Sequence, residues 1–230
     1  MKNYFIALGI LLFLYSCGSG EAETGTENES TTESVETDTM EVGDNENSIE
    51  FLEDYGNFKT KSAVYEQFGA ENLDDDTSWY AEGTVMLMST VLNDPNTGYR
   101  IKYVFKEDDP EKVDFIEAYN IKWSSDFENQ GTQKVQTTEG LYTGMPLTEL
   151  VEWNEGKNFE FSGFGWDYAG GVFETKDSKL GNSAVVVTLT MEDSGYDKYL
   201  NLLGDMSFKS DAEEVKGAPI VIGTLTYRVN

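Results

Sequence analysis

The sequence predicts an α+β fold, mainly antiparallel β-sheet with two short helices. Three observations point there. Apolar and polar residues alternate along strand-length runs, as in Tyr99, Ile101, Tyr103 and Phe105 against Arg100, Lys102 and Lys106, the pattern of a sheet with one buried face. Turn-forming clusters such as Asn93-Asp94-Pro95-Asn96-Thr97-Gly98 separate these runs. Two short stretches, 61–68 and 146–153, carry helical signals instead, closed by Gly69 and Gly156.

The N-terminus reads as a signal peptide, residues 1–16. Lys2 supplies a positive start and residues 4–14 form an apolar run of signal-peptide length. That run falls short of the roughly 20 apolar residues that span a bilayer as a helix. It ends in Leu14-Tyr15-Ser16-Cys17, which resembles the lipobox cut by bacterial lipoprotein signal peptidase. Cys17 is the chain's only cysteine, so no internal disulfide competes for it, and lipidation there is expected. Two or more acyl chains hold a protein stably at a membrane, where one is marginal.

Residues 17–56 read as a lipidated, acidic, disordered tether. Between Gly18 and Gly56 stand thirteen acidic residues and no basic one. So little apolar surface does not offset chain entropy, and like charges extend the coil. Its first 30 or so residues would span on the order of 30 Å as a plain coil.

The folded region divides into an expected first half, 57–138, and second half, 139–230. In the first, the helix at 61–68 places Ala63, Val64 and Phe68 on one face. Strands are expected at 83–92, 99–105 and 113–121, a meander whose second turn is Glu107-Asp108-Asp109-Pro110. In the second, Pro146 at a first helical position opens the helix at 147–153. Strands are expected at 159–164, 171–175, 183–191 and 219–229, with a short helix at 196–203. Helix followed by antiparallel strands thus occurs twice, which suggests a tandem duplication; one continuous sheet carrying both helices is the alternative.

Composition narrows the chemistry. The net charge is −27, and residues 57–230 hold 30 acidic and 15 basic side chains without a basic cluster. Such a surface suits neither nucleic acid nor anionic lipid. The chain has no histidine, which removes imidazole-based triads and zinc sites. With its one thiol acylated, cysteine nucleophiles go too. No phosphate-binding loop of the Gly-x-x-x-x-Gly-Lys type occurs, and no cofactor is expected. Carboxylate pairs remain, as a glycosidase requires, but 30 acidic residues supply such pairs by chance. Asp94-x-Asn96-x-Gly98 opens like a calcium loop, yet its glycine is one place early and Phe105 stands where a bidentate Glu is needed; a hairpin turn fits better. Asp74-Asp75-Asp76 and Glu107-Asp108-Asp109 read as solvated turns.

The most unusual segment is 159–173, where Phe159, Phe161, Phe164, Trp166, Tyr168 and Phe173 stand among Gly163, Gly165, Gly170 and Gly171. One interpretation is a bent strand pair whose aromatics fill the core and whose glycines permit close approach. The other is a binding surface, with Trp166, Asp167 and Tyr168 as its residues.

Gly144-Met145-Pro146-Leu147-Thr148-Glu149-Leu150, then Asn154-Glu155-Gly156-Lys157, resembles the helix segment of small outer-membrane assembly lipoproteins of the SmpA/OmlA type, a unit related to that of tandem β-lactamase inhibitor proteins. The closing proline of that pattern is absent here. Residues 141–172 resemble uncharacterised Gram-negative lipoproteins that share the Gly163-Phe164-Gly165-Trp166-Asp167-Tyr168 segment. These resemblances imply an envelope location and a protein partner, and they carry no activity. Gly18 after Cys17 resembles outer-membrane sorting, and the acidic residues beyond it resemble surface-export signals. The expectation is a lipid-anchored outer-membrane protein, facing periplasm or cell surface, whose domain binds an envelope protein without catalysis. A glycan-binding or glycan-hydrolysing surface protein is the alternative.

Overall fold

The structure, a computed structural model, describes residues 49–124, 126, 128–166, 168–173 and 175–230. Cys17, the expected signal peptide and most of the expected tether lie outside the described residues.

The folded domain includes residues before the expected boundary at 56. Leu52–Tyr55 form a helical turn, α1, and both end residues are completely buried. Asp54 Oδ2 starts the turn by accepting from the Phe51 and Glu50 amides at 2.8 and 2.9 Å. Charge composition alone places 50–56 with the tether; Leu52 and Tyr55 bring it into the core instead.

The helix α2, Lys61–Phe68, falls where expected. Thr60 Oγ1 caps it by accepting from the Ala63 amide at 3.1 Å, and Gly69, at φ 77°, ends it. Then come strands β1 (Leu73–Tyr80), β2 (Val85–Asn93), β3 (Arg100–Phe105) and β4 (Val113–Tyr119). β1 corrects the expectation of a solvated turn at Asp74-Asp75-Asp76: all three aspartates lie on a strand paired in register with β2. The turn between β2 and β3 is held by Asp94, whose carboxylate accepts from the Asn96 amide, Thr97 Oγ1 and Tyr55 Oη at 2.7–2.9 Å. That is an Asx turn whose aspartate also anchors α1.

A two-stranded hairpin follows, β5 (Ile121–Trp123) and β6 (Asn129–Thr132), and then α3, Leu147–Trp153. Pro146 stands one residue outside this helix. Its C-terminal Asn154, fully buried, accepts from the Leu180 amide through Oδ1 and donates through Nδ2 to the Lys157 carbonyl. The Asn154-Glu155-Gly156-Lys157 run is thereby a cap that ties α3 to the turn ahead of β9.

The remaining elements are β7 (Glu160–Ser162), β8 (Val172–Phe173), α4 (Lys179–Asn182), β9 (Val185–Met191), α5 (Asp193–Tyr196), β10 (Ser207–Lys209) and β11 (Ile220–Arg228). The expected helix at 196–203 is instead α5 plus a 3-10 turn at Leu200–Leu202.

The main sheet is antiparallel with order β1-β2-β3-β4-β11-β9, so strands from both sides of residue 138 share it. A small sheet, β10-β7-β8, and the β5-β6 hairpin complete the strands. Alternation sorts the main sheet into two faces. Ile101, Tyr103, Ile116, Ala118, Val187 and Leu225 point to one, where Leu52, Val64, Leu147 and Leu150 from the helices join them in a single hydrophobic cluster. The opposite face carries Lys102, Glu117 and Thr226 in one cross-strand row.

Candidate functional site

The aromatic-glycine segment divides between core and surface. Phe159, Phe161 and Phe164 are buried in the common core, Phe161 within 6.1 Å of both Phe164 and Phe208. The glycines allow backbones to meet. A Cβ on Gly170 would lie 1.8 Å from the Leu189 carbonyl oxygen, and one on Gly163 would lie 2.6 Å from the Gly204 carbonyl oxygen. Gly170 O accepts from the Leu189 amide at 2.8 Å and Gly171 bridges Thr188, which joins this segment to the β9 edge of the main sheet. Trp166 is half-buried, its Nε1 donating to the Gly163 carbonyl at 3.0 Å, and its ring meets Tyr168 edge-on at 5.4 Å. Tyr168 is 49% exposed. Asp167 lies outside the described residues, as does Cys17. The structure therefore brings Trp166 and Tyr168 together at the surface, with the indole N–H already used internally.

Two other features stand out. The first is the free end of the β1–β2 ribbon. β3 pairs with β2 only from Ser89 to Asn93, so 77–88 extend past it as two strands. Trp79 pairs with Met86 and Thr77 with Met88, which puts these side chains on one face. Trp79 is 61%, Met86 50% and Met88 43% exposed. Nearer the helices on the same face, Asp75 accepts from Lys61 Nζ, Tyr65 Oη and Thr90 Oγ1 at 2.7–2.9 Å, so α2 covers that part and leaves Trp79 open. β1 is also an edge strand, paired among the described residues with β2 alone.

The second is a cavity of about 430 Å³ on the helix-free face of the sheet. Val91, Lys102 and Tyr119 form its floor; Asp74 and Asp76 on β1, and Ile121 and Trp123 on β5, line its sides. Gln133 lines it too but is spent on structure: its amide bonds both the N–H and the carbonyl of Arg100 and the Tyr119 carbonyl, at 2.8–2.9 Å. Beside Tyr119 on the same face of β4 lies a buried carboxylate. Glu117 Oε2 accepts from Tyr119 Oη at 2.5 Å and Tyr80 Oη at 3.2 Å. Burial first, and the Glu117 charge second, push both phenols well above their ordinary range, so both stay protonated donors. Lys102 Nζ sits 5.3 Å from the centre of the Tyr119 ring, a cation–π distance.

Sequence reasoning notes Arg100 and Lys102 as the polar side of β3 but misses Trp79, Met86, Met88 and Trp123. The only signal there is that 85–88, Val-Met-Leu-Met, is apolar at every position, a pattern shared by strands buried on both faces. No protein family, no curated protein and no solved structure matches this chain.

Proposed function

We propose that this chain is an outer-membrane lipoprotein, anchored through lipid on Cys17, whose domain is a non-catalytic module that binds another envelope protein on the β1–β2 ribbon. The observation that carries the binding assignment is the meeting of an exposed apolar face and an open strand edge on one projecting ribbon. Exposed Trp and Met clusters are characteristic interface anchors. An open edge accepts an extended partner segment through backbone hydrogen bonds. The absence of histidine and the single cysteine favour binding over catalysis.

Affinity purification after mild crosslinking in the native envelope tests this. The wild-type chain should recover one specific envelope protein, and a Trp79→Glu/Met86→Glu variant of unchanged circular dichroism should lose it. Recovery that is absent, or indifferent to the substitutions, counts against the module. The anchor is tested separately: Cys17→Ser should move the protein out of the membrane fraction.

A further inference from the structure

We propose that the cavity on the helix-free face of the main sheet is a binding site for a saccharide of one or two pyranose rings. The site is separate from the ribbon's apolar face and does not depend on it.

Charge comes first. Asp74, Asp75 and Asp76 meet Arg100 and Lys102 in the same cavity; Asp75 is paired with Lys61, which leaves Asp74 and Asp76 facing Arg100 and Lys102, two of each sign. None of the four forms an ion pair within 4.0 Å among the described residues. Opposite charges that share a cavity without closing on each other leave room between them. Their balance favours a neutral ligand over an anion or a cation. Arg100 has committed Nη1 to Asn93 Oδ1 at 2.9 Å, which fixes the guanidinium while leaving further N–H groups. Asp74 Oδ2 accepts from Asn93 Nδ2 at 3.3 Å, so Asn93 bridges the two sides.

Shape and polarity narrow the class. Trp123 lines the cavity and is 43% exposed, an indole accessible to a ligand there. Pyranose rings carry axial C–H groups on one face and hydroxyls around the rim. Each hydroxyl both donates and accepts, so a ring needs carboxylates and cationic N–H groups around one aromatic platform. Asp74, Asp76, Arg100 and Lys102 around Trp123 are that combination. Tyr119 makes the floor rigid, because its hydroxyl is held by Glu117 and its ring by Lys102. A volume of about 430 Å³ lies at the small end of ligand pockets, which run from about 300 to 1,000 Å³, and suits one or two sugar rings.

The test is isothermal titration of the full chain in detergent with methyl glycosides of glucose, galactose, mannose and N-acetylglucosamine and with their disaccharides. At least one should bind, and both Trp123→Ala and Arg100→Met should weaken it about tenfold or more, while Leu200→Ala leaves it unchanged. Two variants on different elements guard against a local folding defect in either. Absence of binding up to about 10 mM, or binding indifferent to both substitutions, overturns the proposal. So does tighter binding of glycine or diglycine in the same cavity, since a zwitterion would then be the ligand.

Discussion

Trp79 and Met86 are direct cross-strand partners at the free end of the β1–β2 ribbon, and both side chains open to solvent on the face that α2 leaves uncovered. A cross-strand pair of this kind stabilises a sheet by about 0.2–1 kcal/mol. Burying both against a partner would contribute considerably more. Trp79→Lys should therefore change the unfolding free energy by no more than about 1 kcal/mol in urea titration. A larger loss would mean that the indole serves the fold.

Leu52 and Tyr55 make the residues just before 57 part of the core. Leu52→Ala should cost about 2–5 kcal/mol, as for other fully buried leucines. Tyr55→Phe should cost about 1 kcal/mol, because Asp94 keeps its bonds to Thr97 and the Asn96 amide. Denaturant titration of the two variants checks both. A Leu52→Ala chain as stable as wild type would return this turn to the tether.

The glycines of the aromatic segment should differ sharply in tolerance. Gly170→Ala drives a methyl into the Leu189 carbonyl and should abolish cooperative folding or cost more than about 4 kcal/mol. Gly165 has open space around its Cβ position and only a φ of 81° to resist substitution, so Gly165→Ala should cost about 1–2 kcal/mol. Thermal melts of the pair suffice.

Asp75 links stability to acid. Burial pushes its carboxyl up, but hydrogen bonds from Lys61, Thr90 and Tyr65 together outweigh this and hold it below the ordinary carboxylate range. Its contribution is complete above the unfolded value of about 3.9 and fades as pH falls through the lower folded value. The urea midpoint of wild type should exceed that of Asp75→Asn at pH 6, and the gap should close toward about pH 2. At the other extreme Tyr142, pushed up to about 12 by its 2.6 Å hydrogen bond to Glu149 and then by burial, favours the fold fully below about pH 10. That contribution is lost as pH rises through about 12.

Strands rich in alternating or continuous apolar residues are the ones legible in the sequence. β3 reads correctly because Ile101, Tyr103 and Phe105 face the core while Arg100 and Lys102 face the cavity. α2 reads correctly because Ala63, Val64 and Phe68 share a face and Gly69 ends it. β1 does not, because three consecutive aspartates carry turn propensity and only pairing with β2 makes them a strand. The cavity is illegible for a related reason: Asp74, Arg100 and Trp123 are far apart in sequence, and the sheet order brings them together. Trp166 and Tyr168 attract notice by composition, yet composition does not show that the indole N–H is bonded to Gly163.

The most direct test of the docking ribbon is site-specific photocrosslinking in intact envelopes, with a photoreactive phenylalanine at Trp79 or Met86 and a control at Leu200, which is also an exposed apolar position. Positions 79 and 86 should each yield one discrete protein adduct of the same partner, lost when Met88→Asp is added, with none at 200. The absence of an adduct at 79 and 86, or the same adduct from position 200, would contradict a docking surface on this ribbon.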